Sequence, residues 1–508
     1  MIVDEQRAVR EFLAQSVNLG QVGPVEFIET HISLIALAGT RAFKMKRAVK
    51  LPYVDFSTPD KRLEACEAEL AMNSVTAPGL YRRVRRLTRG ADQSLVWDGE
   101  GELVDAVVEM MRFDQEQLFD RMASAGRLNP ALMTETARMI ARAHRQAPII
   151  AAEDGAARVA NVLSINRAGF ATSDVFSVEE ADRLTAQFER QLTHLAELLD
   201  RRARVGRVRR CHGDLHLRNI CLLHGVPRLF DCIEFNAELA TTDVLYDLAF
   251  LLMDLWHRGF PALSNLVMNR YLDEGEDDEG MRLLPFFVAL RAAVRAHVTA
   301  TQATSQPAGI ESASDALIAE ARSYFTLAEN LLGHTPPRLI AIGGLSGSGK
   351  TTVADHLAPH LGLAPGARIL ESDRVRKALF DVPAETRLPQ AAYRPEVSAE
   401  VYRELAMRAQ DLLANGVCVV ADAVFDDEEN RSRMSAAARQ AKARFTGIWL
   451  QAAPSTLRRR VRERPAGPSD ATLTVLARQL ERNPEVRDWQ AVAADAPLDT
   501  VVKAALDG

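Results

Sequence analysis

The residues with the clearest chemical signature lie at 344–352, where the sequence reads GLSGSGKTT. This run satisfies the pattern G-x4-GK[ST], with an apolar strand pattern before it and a helical pattern after it. Glycines let successive backbone N–H groups turn toward phosphate oxygens, at a helix N-terminus that favours anions. Lys350 would supply positive charge for the β and γ oxygens, and the Thr351 hydroxyl would be a Mg²⁺ ligand. The expected ligand is therefore ATP with Mg²⁺, and the candidate residues are Gly344, Ser346, Gly347, Ser348, Gly349, Lys350, Thr351 and Thr352.

Two acids after neighbouring strand patterns could complete a phosphoryl-transfer site. Asp373 follows ARILE, at the end of a strand where ligands of parallel sheets bind, and it could accept a proton from a substrate hydroxyl. Arg374 and Arg376 would hold an anionic part of that substrate; a plain helix N-cap at Asp373 is the alternative. Asp422 follows GVCVVA, where an acid can help hold Mg²⁺ through water, and helix capping is again the alternative.

A basic helical pattern, LRRRVRERPAGPSDA at 457–471, leads into a Pro/Gly loop. That layout is typical of a lid whose arginines close on the transferring phosphate, with Arg460 and Arg464 as candidates; a solvated role for any one arginine is the alternative. Together with the phosphate loop and ESDRVRK, this half resembles the P-loop small-molecule and polynucleotide kinases, a group that includes chloramphenicol phosphotransferase and zeta-toxin-like enzymes. The resemblance implies a parallel-sheet P-loop NTPase-type kinase domain.

A second group of acids lies in HGDLHLRN and the LFD that follows it. Asp214, Asn219 five residues on and Asp231 twelve further on suit phosphoryl transfer. The first carboxylate can orient a hydroxyl and take its proton, and the other two side chains offer the oxygen ligands that Mg²⁺ prefers. A zinc site made of His212, Asp214 and His216 is the competing interpretation. The glycine inside the motif and the strand-like ICLL after it favour a loop, which weakens that interpretation.

HGDxxxxN with a spaced Asp resembles the aminoglycoside phosphotransferase family, over roughly residues 20–300. The resemblance implies a bilobal, protein-kinase-like fold. It also implies that Asp214 is the catalytic base, that Asn219 and Asp231 are metal ligands, and that Asp247 is a structural acid that braces the loop.

The same resemblance implies that the small lobe supplies a lysine for the phosphates and a carboxylate to hold that lysine. Lys44 or Lys46, on one face of the strand pattern RAFKMK, fits the lysine. Glu69 on the following helix fits the carboxylate, with Glu64 as the alternative. VVEMMRF would form the hinge, with backbone groups near Met110 reading adenine; a buried edge strand is the alternative. No GxGxxG precedes the lysines, and THIS stands in its place.

The elements that must position these residues follow two patterns. The first 115 residues favour strands, including a hairpin predicted from SLVWDGEGELVDAVVEM, and residues 117–300 are mostly helical in pattern, interrupted at 211–247. After a seam at 303–337, strands alternate with helices, which predicts a parallel α/β sheet. The fold class is thus a multidomain combination of α/β and α+β: a bilobal kinase-like domain over about 1–335, with its small lobe at about 1–115, followed by a P-loop kinase domain over 336–508.

Two segments outside the sites carry structural predictions. The helical pattern 312–332, followed by two prolines, predicts a fixed spacer between the domains. The acidic run DEGEDDE at 273–279 predicts a solvated loop.

Composition narrows the compartment and the partners. The formal net charge is −6, which speaks against a nucleic-acid partner, although the arginines near 458–464 keep that possibility open. The 5 cysteines show no CxxC pairing and are expected to be reduced thiols. The charged N-terminus is not that of a signal peptide, and the longest apolar stretch is broken by Asp247 and Asp254, so we expect a cytoplasmic protein with no membrane partner.

The sequence therefore predicts a bifunctional ATP-dependent phosphotransferase with two separate ATP and Mg²⁺ sites, acting on hydroxyls of small polar metabolites. Two alternatives remain open. One domain could be a ligand sensor or an NTP switch, or the C-terminal domain could be a polynucleotide 5′-hydroxyl kinase. The resemblance does not specify the acceptor, because one fold hosts many substrates.

Overall fold

The computed structural model describes residues 6–51, 54–304, 311–464, 467–482, 484 and 486–507. The chain forms two compact units. Unit 1 comprises Met1–Val159 and Ala196–Asp254, and unit 2 comprises Ala160–Leu195 and Leu255–Gly508. The helical residues 160–195 and 255–335 thus group with the P-loop part of the chain, whereas the sequence places a domain boundary at 335/336. Most of the polar seam 303–309 lies outside the described residues.

Unit 1 is built on a six-stranded antiparallel sheet of order β1-β2-β3-β8-β6-β7 and three two-stranded ribbons, β4–β5, β10–β11 and β9–β12. The strands are β1 (Val25–Glu29), β2 (Ser33–Ala38), β3 (Arg41–Lys46), β4 (Lys50–Leu51), β5 (Val54–Asp55), β6 (Tyr81–Arg89), β7 (Leu95–Trp97), β8 (Leu103–Met111), β9 (Val208–Arg210), β10 (Ile220–Leu223), β11 (Val226–Leu229) and β12 (Thr241–Asp243).

Within the described residues of the first half of the chain, there are eight α-helices. They are α1 (Arg7–Leu13), α2 (Pro59–Thr76), α3 (Phe119–Ser124), α4 (Pro130–Gln146), α5 (Gly155–Phe170), α6 (Val178–Arg204), α7 (Ala237–Ala240) and α8 (Val244–His257). Thr58 caps α2, because its side chain accepts the N–H of Lys61, and Pro59 occupies the first helical position.

The period of two predicted for β3 is confirmed. Phe43 and Met45 belong to an apolar cluster that also contains Val9 and Leu13 of α1. Ala42 belongs to a different cluster, which contains Cys66 of α2. The lysines that alternate with Phe43 and Met45 share the α2 side of the sheet with Ala42, because side chains of a strand alternate between its faces.

The predicted hairpin at 94–110 is wrong. β7 and β8 both pair with β6, and β8 lies between β3 and β6 in the sheet. Two short strands joined by a glycine turn predict a hairpin locally, but pairing with β3 places β8 in the interior of the sheet. The two-residue turn predicted at Gly39 is confirmed, with Gly39 in the left-handed region at φ 53° between the paired strands β2 and β3.

Unit 2 contains a five-stranded parallel sheet of order β14-β15-β13-β16-β17. Its central strand leads into the phosphate loop, as predicted. The strands are β13 (Arg338–Gly344), β14 (Arg368–Glu371), β15 (Val419–Asp422), β16 (Arg444–Gln451) and β17 (Gln490–Ala493). The helices of the second half are α9 (Pro261–Gly275), α10 (Leu284–Thr304), α11 (Glu311–Leu331), α12 (Lys350–Leu357), α13 (Ser372–Leu379), α14 (Pro395–Ala414), α15 (Glu428–Gln440), α16 (Pro454–Glu463), α17 (Leu473–Arg482) and α18 (Leu498–Asp507).

Two predictions about the segments before the sheet are wrong. The segment predicted to be a spacer, α11, packs along α10 within unit 2 and buries Tyr324, Phe325 and Ala328. The acidic run 273–279 is not a solvated loop, because Asp273 and Asp278 are ion-paired with buried arginines of the same unit. Apart from Arg270, which precedes Asp273 by three residues, the arginine partners of Asp273 and Asp278 are distant in sequence.

Among the described residues, one helical stretch, Asp278–Thr304, is long and apolar enough by length and composition to cross a membrane. Of its most apolar window, 78% is buried inside the protein, as for the core helix of a globular fold. That stretch is weak evidence for a membrane span.

Candidate active sites

Glu69 holds two lysines in unit 1. Lys44 Nζ lies 2.7 Å from Glu69 Oε1, and Lys46 Nζ lies 2.7 Å from Glu69 Oε2. All three side chains are buried, whereas Glu64, the alternative, is exposed. The lysines differ in their second partner: Lys44 contacts Asp231, and Lys46 contacts Glu234. Only Lys44 therefore contacts one of the predicted metal ligands.

The charges of this cluster stabilise one another. Burial alone raises the pKa of Glu69, but the ammonium groups of Lys44 and Lys46 outweigh it and lower that pKa to about 2. Burial lowers the pKa of Lys44, yet the carboxylates of Asp231 and Glu69 raise it well above its usual value. At neutral pH Lys44 is thus a cation in contact with Glu69 and with Asp231, one of the predicted metal ligands.

The loop that carries Asp214 is fixed by side chains on both sides. Asn219 Nδ2 donates to the carbonyl and to Oδ2 of Asp214, both at 2.9 Å. The fully buried Asp247 accepts the backbone N–H groups of Gly213 at 2.7 Å and His212 at 3.3 Å, and His144 Nε2 lies 3.1 Å from it. Asp247 therefore braces the loop, as the resemblance implies.

The histidines of this motif do not converge on one point. His212 Nε2 lies 2.9 Å from the carbonyl of Phe230, and burial lowers its pKa. His216 Nε2 instead faces Asp214 Oδ2 at 3.3 Å, and its Nδ1 accepts the N–H of Arg218. This arrangement argues against the competing zinc site.

The backbone hydrogen bonds of residues 110–112 limit which groups of the predicted hinge could bind adenine. Met110 is buried and pairs with Ala42 on one side and Tyr81 on the other. The N–H groups of Met111 and Arg112 donate to the carbonyls of Leu80 and Thr40. These two donors are engaged, so adenine recognition near Met110 stays a prediction for the carbonyls of this segment.

The THIS segment closes on itself where a glycine-rich loop would stand. Thr30 N donates to Ser33 O at 2.9 Å, and Ser33 N donates to Thr30 Oγ1 at 3.0 Å. Arg47 Nη1 donates to Thr30 O at 2.7 Å. The Thr30 hydroxyl and the Arg47 guanidinium thus fix the conformation of this segment, whereas a glycine-rich loop would keep the conformational freedom of glycine.

The phosphate loop of unit 2 requires its glycines. Gly347 and Gly349 have φ of 85° and 93°, and a Cβ at Gly347 would lie 2.8 Å from the carbonyl of Leu457. Ser346, Gly347, Gly349, Lys350, Thr351 and Thr352 line a cleft of about 1730 Å³. Gly344 and Ser348 belong to the same loop but do not line the cleft. Within the described part of the chain, the buried Ser348 Oγ has no hydrogen-bond partner.

Thr351 and Asp422 meet beside Lys350. Thr351 Oγ1 donates to Asp422 Oδ2 at 2.6 Å, because the two parallel strands β13 and β15 end at the same edge of the sheet. Burial raises the pKa of Asp422 to about 7 and lowers the pKa of Lys350. Hydroxyl and carboxylate oxygens in one place are a suitable ligand set for Mg²⁺.

Asp373 lies in the first turn of α13 and lines the same cleft. Burial raises its pKa, which makes it a better proton acceptor. Of the two arginines predicted to hold a substrate anion, only Arg376 lines the cleft, and its guanidinium lies over the ring of Tyr393. Arg374 pairs with Glu371 at 2.9 Å and with Asp273 instead, so its predicted role is wrong.

Both lid arginines line the cleft, and each has a partner. Arg460 Nη2 lies 3.3 Å from Asp495 Oδ1, and Nη1 would approach a Cβ at Gly349 to 3.9 Å. Arg464 Nη2 donates to the carbonyls of Ser469 and Ala471. Residues 465 and 466 of the predicted Pro/Gly loop lie outside the described residues.

Sequence reasoning missed residues that reach the site from later elements. Gln479 Oε1 on α17 accepts the N–H of Ser346 at 2.9 Å, which ties α17 to the phosphate loop. Asp470 accepts the Tyr393 hydroxyl and the N–H of Leu388, and it pairs with the buried Lys377. The amphipathic spacing of residues 473–482 predicts a helix at this place. No local pattern marks Gln479 or Asp470 as residues of the site.

Comparisons with known proteins agree with the division of the sites. Residues 54–284 match the model of the phosphotransferase enzyme family, and residues 339–485 match the model described as AAA domain. An uncharacterized protein of Mycobacterium tuberculosis (strain ATCC 25618 / H37Rv) is 29% identical over 475 residues, which cover 92% of this chain and 91% of that protein. The alignment therefore spans both matched regions.

Two solved structures are similar to part of the chain. A gluconokinase from Sinorhizobium meliloti 1021 has 24% identity and a TM-score of 0.25, with 34% of this chain and 92% of that chain covered. A choline/ethanolamine kinase family protein from Mesorhizobium loti has 14% identity and a TM-score of 0.39, with 65% and 99% covered.

The region 54–284 contains Glu69, Asp214, Asn219 and Asp231, whereas Lys44 and Lys46 precede it, and the region 339–485 contains the phosphate loop, Asp373 and Asp422. The chain thus contains a region that matches the phosphotransferase enzyme family, at 54–284, and a region with a phosphate loop that matches the AAA-domain model, at 339–485, and these matches support phosphotransferase activity in general.

Proposed function

We propose that the protein is a bifunctional ATP-dependent phosphotransferase that transfers the γ-phosphoryl group to hydroxyls of small polar metabolites at two separate sites. The observation that carries the proposal is that each unit has its own cation, its own candidate base and its own oxygen ligands for a metal. In unit 1 these include Lys44, Asp214 and Asp231, and in unit 2 they include Lys350 and Asp373. One shared active site would not need both sets.

The residues of unit 2 fit ATP and Mg²⁺. The loop places its backbone where a Cβ at Gly347 would not fit, and α12 starts at Lys350, so that its first N–H groups face the cleft. Thr351 Oγ1 and Asp422 would hold the metal, directly or through water. A bound Mg²⁺ would supply positive charge that offsets the negative charge of the transferring phosphate.

In unit 2, Asp373 accepts the proton that the acceptor hydroxyl loses as its oxygen bonds to phosphorus and the bond to the leaving oxygen breaks. Its raised pKa suits this task. Lys350 stays next to the leaving oxygens, and Arg460 and Arg464 restrict access of water from the α16 side.

In unit 1, Asp214 plays the corresponding part. The Asn219 amide donates to Asp214 Oδ2 and so orients the carboxylate that would take the proton. Because the amide nitrogen of Asn219 is engaged, its carbonyl oxygen is the atom that would ligate Mg²⁺ together with Asp231. Lys44, held by Glu69, would bind the α and β phosphates.

The test is product identification with the full chain. Labelled ATP and a metabolite pool are incubated with the wild type, with Asp214→Asn, with Asp373→Asn and with the double variant, and products are identified by mass spectrometry. We expect each single variant to lose its own product by at least about a hundredfold, the scale of a lost general base, and the double variant to lose both. Asp60→Asn and Asp381→Asn, which change exposed acids of the same units, serve as controls.

Other outcomes would contradict the proposal in defined ways. If one single variant removed all products, the two units would share one reaction. If one unit yielded no product and its variant changed nothing, that unit would be a sensor or a nucleotide switch.

The large cleft of unit 2 favours one further candidate, a polynucleotide 5′-hydroxyl kinase. Arg387, Arg394 and Arg478 line it besides the lid arginines. A single-stranded oligonucleotide offered as acceptor tests this candidate, because phosphate contacts would make binding fall steeply with salt. Absence of binding at low salt would leave the small-metabolite proposal.

We further propose that the protein acts in the cytoplasm on soluble substrates. All five cysteines lie within the described residues, are buried and form no disulfide there, which suits a reducing compartment.

A further inference from the structure

Helix α9 covers the exposed edge of the parallel sheet in unit 2. β14 is an edge strand, with β15 as its neighbour on one side. On the other side, the buried Asn265 donates to the carbonyls of Pro365 and Ala367 at 2.9 and 3.0 Å. The buried Asn269 accepts the N–H of Ile369 at 2.8 Å. Side-chain amides of α9 thus pair the backbone groups that an edge strand leaves open.

Beyond these amides, four arginines and four carboxylates form a charge-balanced group, which we term the α9 cluster. Arg270 Nη1 lies 2.9 Å from Asp273 and 3.0 Å from Glu371. Arg368 lies 2.8 Å from both Asp273 and Asp278. The members are Arg270, Asp273, Asp278, Asp355, Arg368, Glu371, Arg374 and Arg408.

The α9 cluster holds the residues on both sides of Asp373. Glu371, two positions before it, accepts from Arg270 at 3.0 Å. Arg374, the next residue, donates to Glu371 at 2.9 Å and lies 3.5 Å from Asp273. The cluster also reaches α12, since Arg270 Nη2 lies 3.8 Å from Asp355. Buried ion pairs add little net stability, but their directed hydrogen bonds fix a geometry.

We propose that Arg270 and Asp273 of α9 are positioning residues of the C-terminal kinase site, which set the place of Asp373 relative to the phosphate loop. The inference rests on the proposed function of unit 2. Its consequence is that this kinase site includes residues from the 54–284 family region, well before its own sheet begins at Arg338. A small displacement of a base from its acceptor costs rate rather than nucleotide binding.

The test uses the full chain in an Asp214→Asn/Lys44→Met background, so that both turnover and nucleotide binding report unit 2. Asp273→Asn keeps the side-chain shape and removes its charge, and Arg270→Lys keeps the charge and removes the two-pronged contact. We expect kcat to fall by about tenfold or more in each, with the affinity for a fluorescent ATP analogue changed by less than about threefold. Glu276→Gln removes one carboxylate charge and Arg282→Lys exchanges arginine for lysine, both at exposed positions nearby, and these controls should leave both values unchanged.

Hydrogen exchange gives a readout that does not depend on activity. The peptide 369–377 should exchange about tenfold faster in Asp273→Asn, while the phosphate loop 344–352 keeps its rate. Unchanged exchange and unchanged kcat, or an equal loss of kcat and of ATP affinity, would overturn the inference. If Lys350→Ala left turnover intact, the proposed function of unit 2 would fail, and hydrogen exchange alone would still decide the positioning role.

Discussion

At the residue scale, Lys44 and Lys46 are identical side chains on one face of β3 that have different second partners and therefore different expected roles. They share Glu69, but Lys46 is 1% exposed and its second partner, Glu234, is also buried. Lys44 points to Asp231, whose side chain is 44% exposed. The Lys46–Glu234 pair is therefore enclosed, whereas the Lys44–Asp231 pair is partly exposed, as a contact with phosphates would require.

Replacement of the two lysines should therefore have separable effects. Lys44→Met should weaken ATP binding by unit 1 at least about tenfold, the scale of one charge-assisted contact, while Glu69 keeps Lys46 as a partner. Lys46→Met leaves Glu69 and Glu234 buried without their shared cation and should destabilise unit 1 by about 3 kcal/mol. Calorimetric titration with an ATP analogue and denaturant unfolding measure the two effects. Equal losses of affinity without loss of stability would contradict this assignment.

At the element scale, helix packing in unit 2 fixes the charge state of a histidine. A Cβ at Gly169 of α5 would lie 2.4 Å from the ring of His297 on α10, so only glycine fits there. The ring also packs edge-on against Phe170, and its Nε2 lies 3.3 Å from Asn166 Oδ1. Burial lowers the pKa of His297 to about 4.

This histidine predicts a pH dependence of stability. Between pH about 4 and the unfolded value of about 6.5, the unfolded chain binds a proton that the folded chain does not, so stability falls as the pH falls through this window. The full difference is about 3 kcal/mol. His297→Gln should flatten the dependence of the unfolding free energy of unit 2 on pH, and His194→Gln, an exposed change on α6, should not. Identical slopes in the two variants would contradict this prediction.

At the scale of the whole molecule, the two candidate sites are built from separate residues, but the elements that brace them follow one another in sequence. Asp247 and Asp254 on α8 accept backbone N–H groups of the Asp214 loop, at Gly213 and Leu217. The next helix, α9, provides the α9 cluster. A cut at the predicted boundary of 335/336 would remove that cluster from the P-loop domain, so experiments on this kinase need the full chain.

Because each unit has its own candidate site, we predict that each chain binds two nucleotides. Equilibrium binding of a non-hydrolysable ATP analogue should give a stoichiometry of about two for the wild type, because each unit holds its own phosphate-binding cation. Lys350→Ala and Lys44→Met should each reduce it to about one, and the double variant should bind none. One nucleotide per wild-type chain, or loss of both from one change, would contradict two independent sites.

The sequence by itself determined the local chemistry of this protein. The phosphate loop, the spacing of Asp214, Asn219 and Asp231, and the alternating lysines were readable, because a loop conformation, a helix start and a strand face depend on neighbours along the chain. The fold class followed from the same local periodicities.

Only the tertiary structure decided which of several chemically equivalent side chains lies in the site and which pairs elsewhere. Arg374 and Arg376 lie in one helical turn, yet one belongs to the α9 cluster and the other lines the cleft. The sequence predicts a solvated loop at 273–279, because three of the arginines that pair with it, Arg368, Arg374 and Arg408, lie about ninety to one hundred and thirty residues away. Pairing, burial and charge compensation between distant residues depend on how elements pack, and no local pattern records that packing.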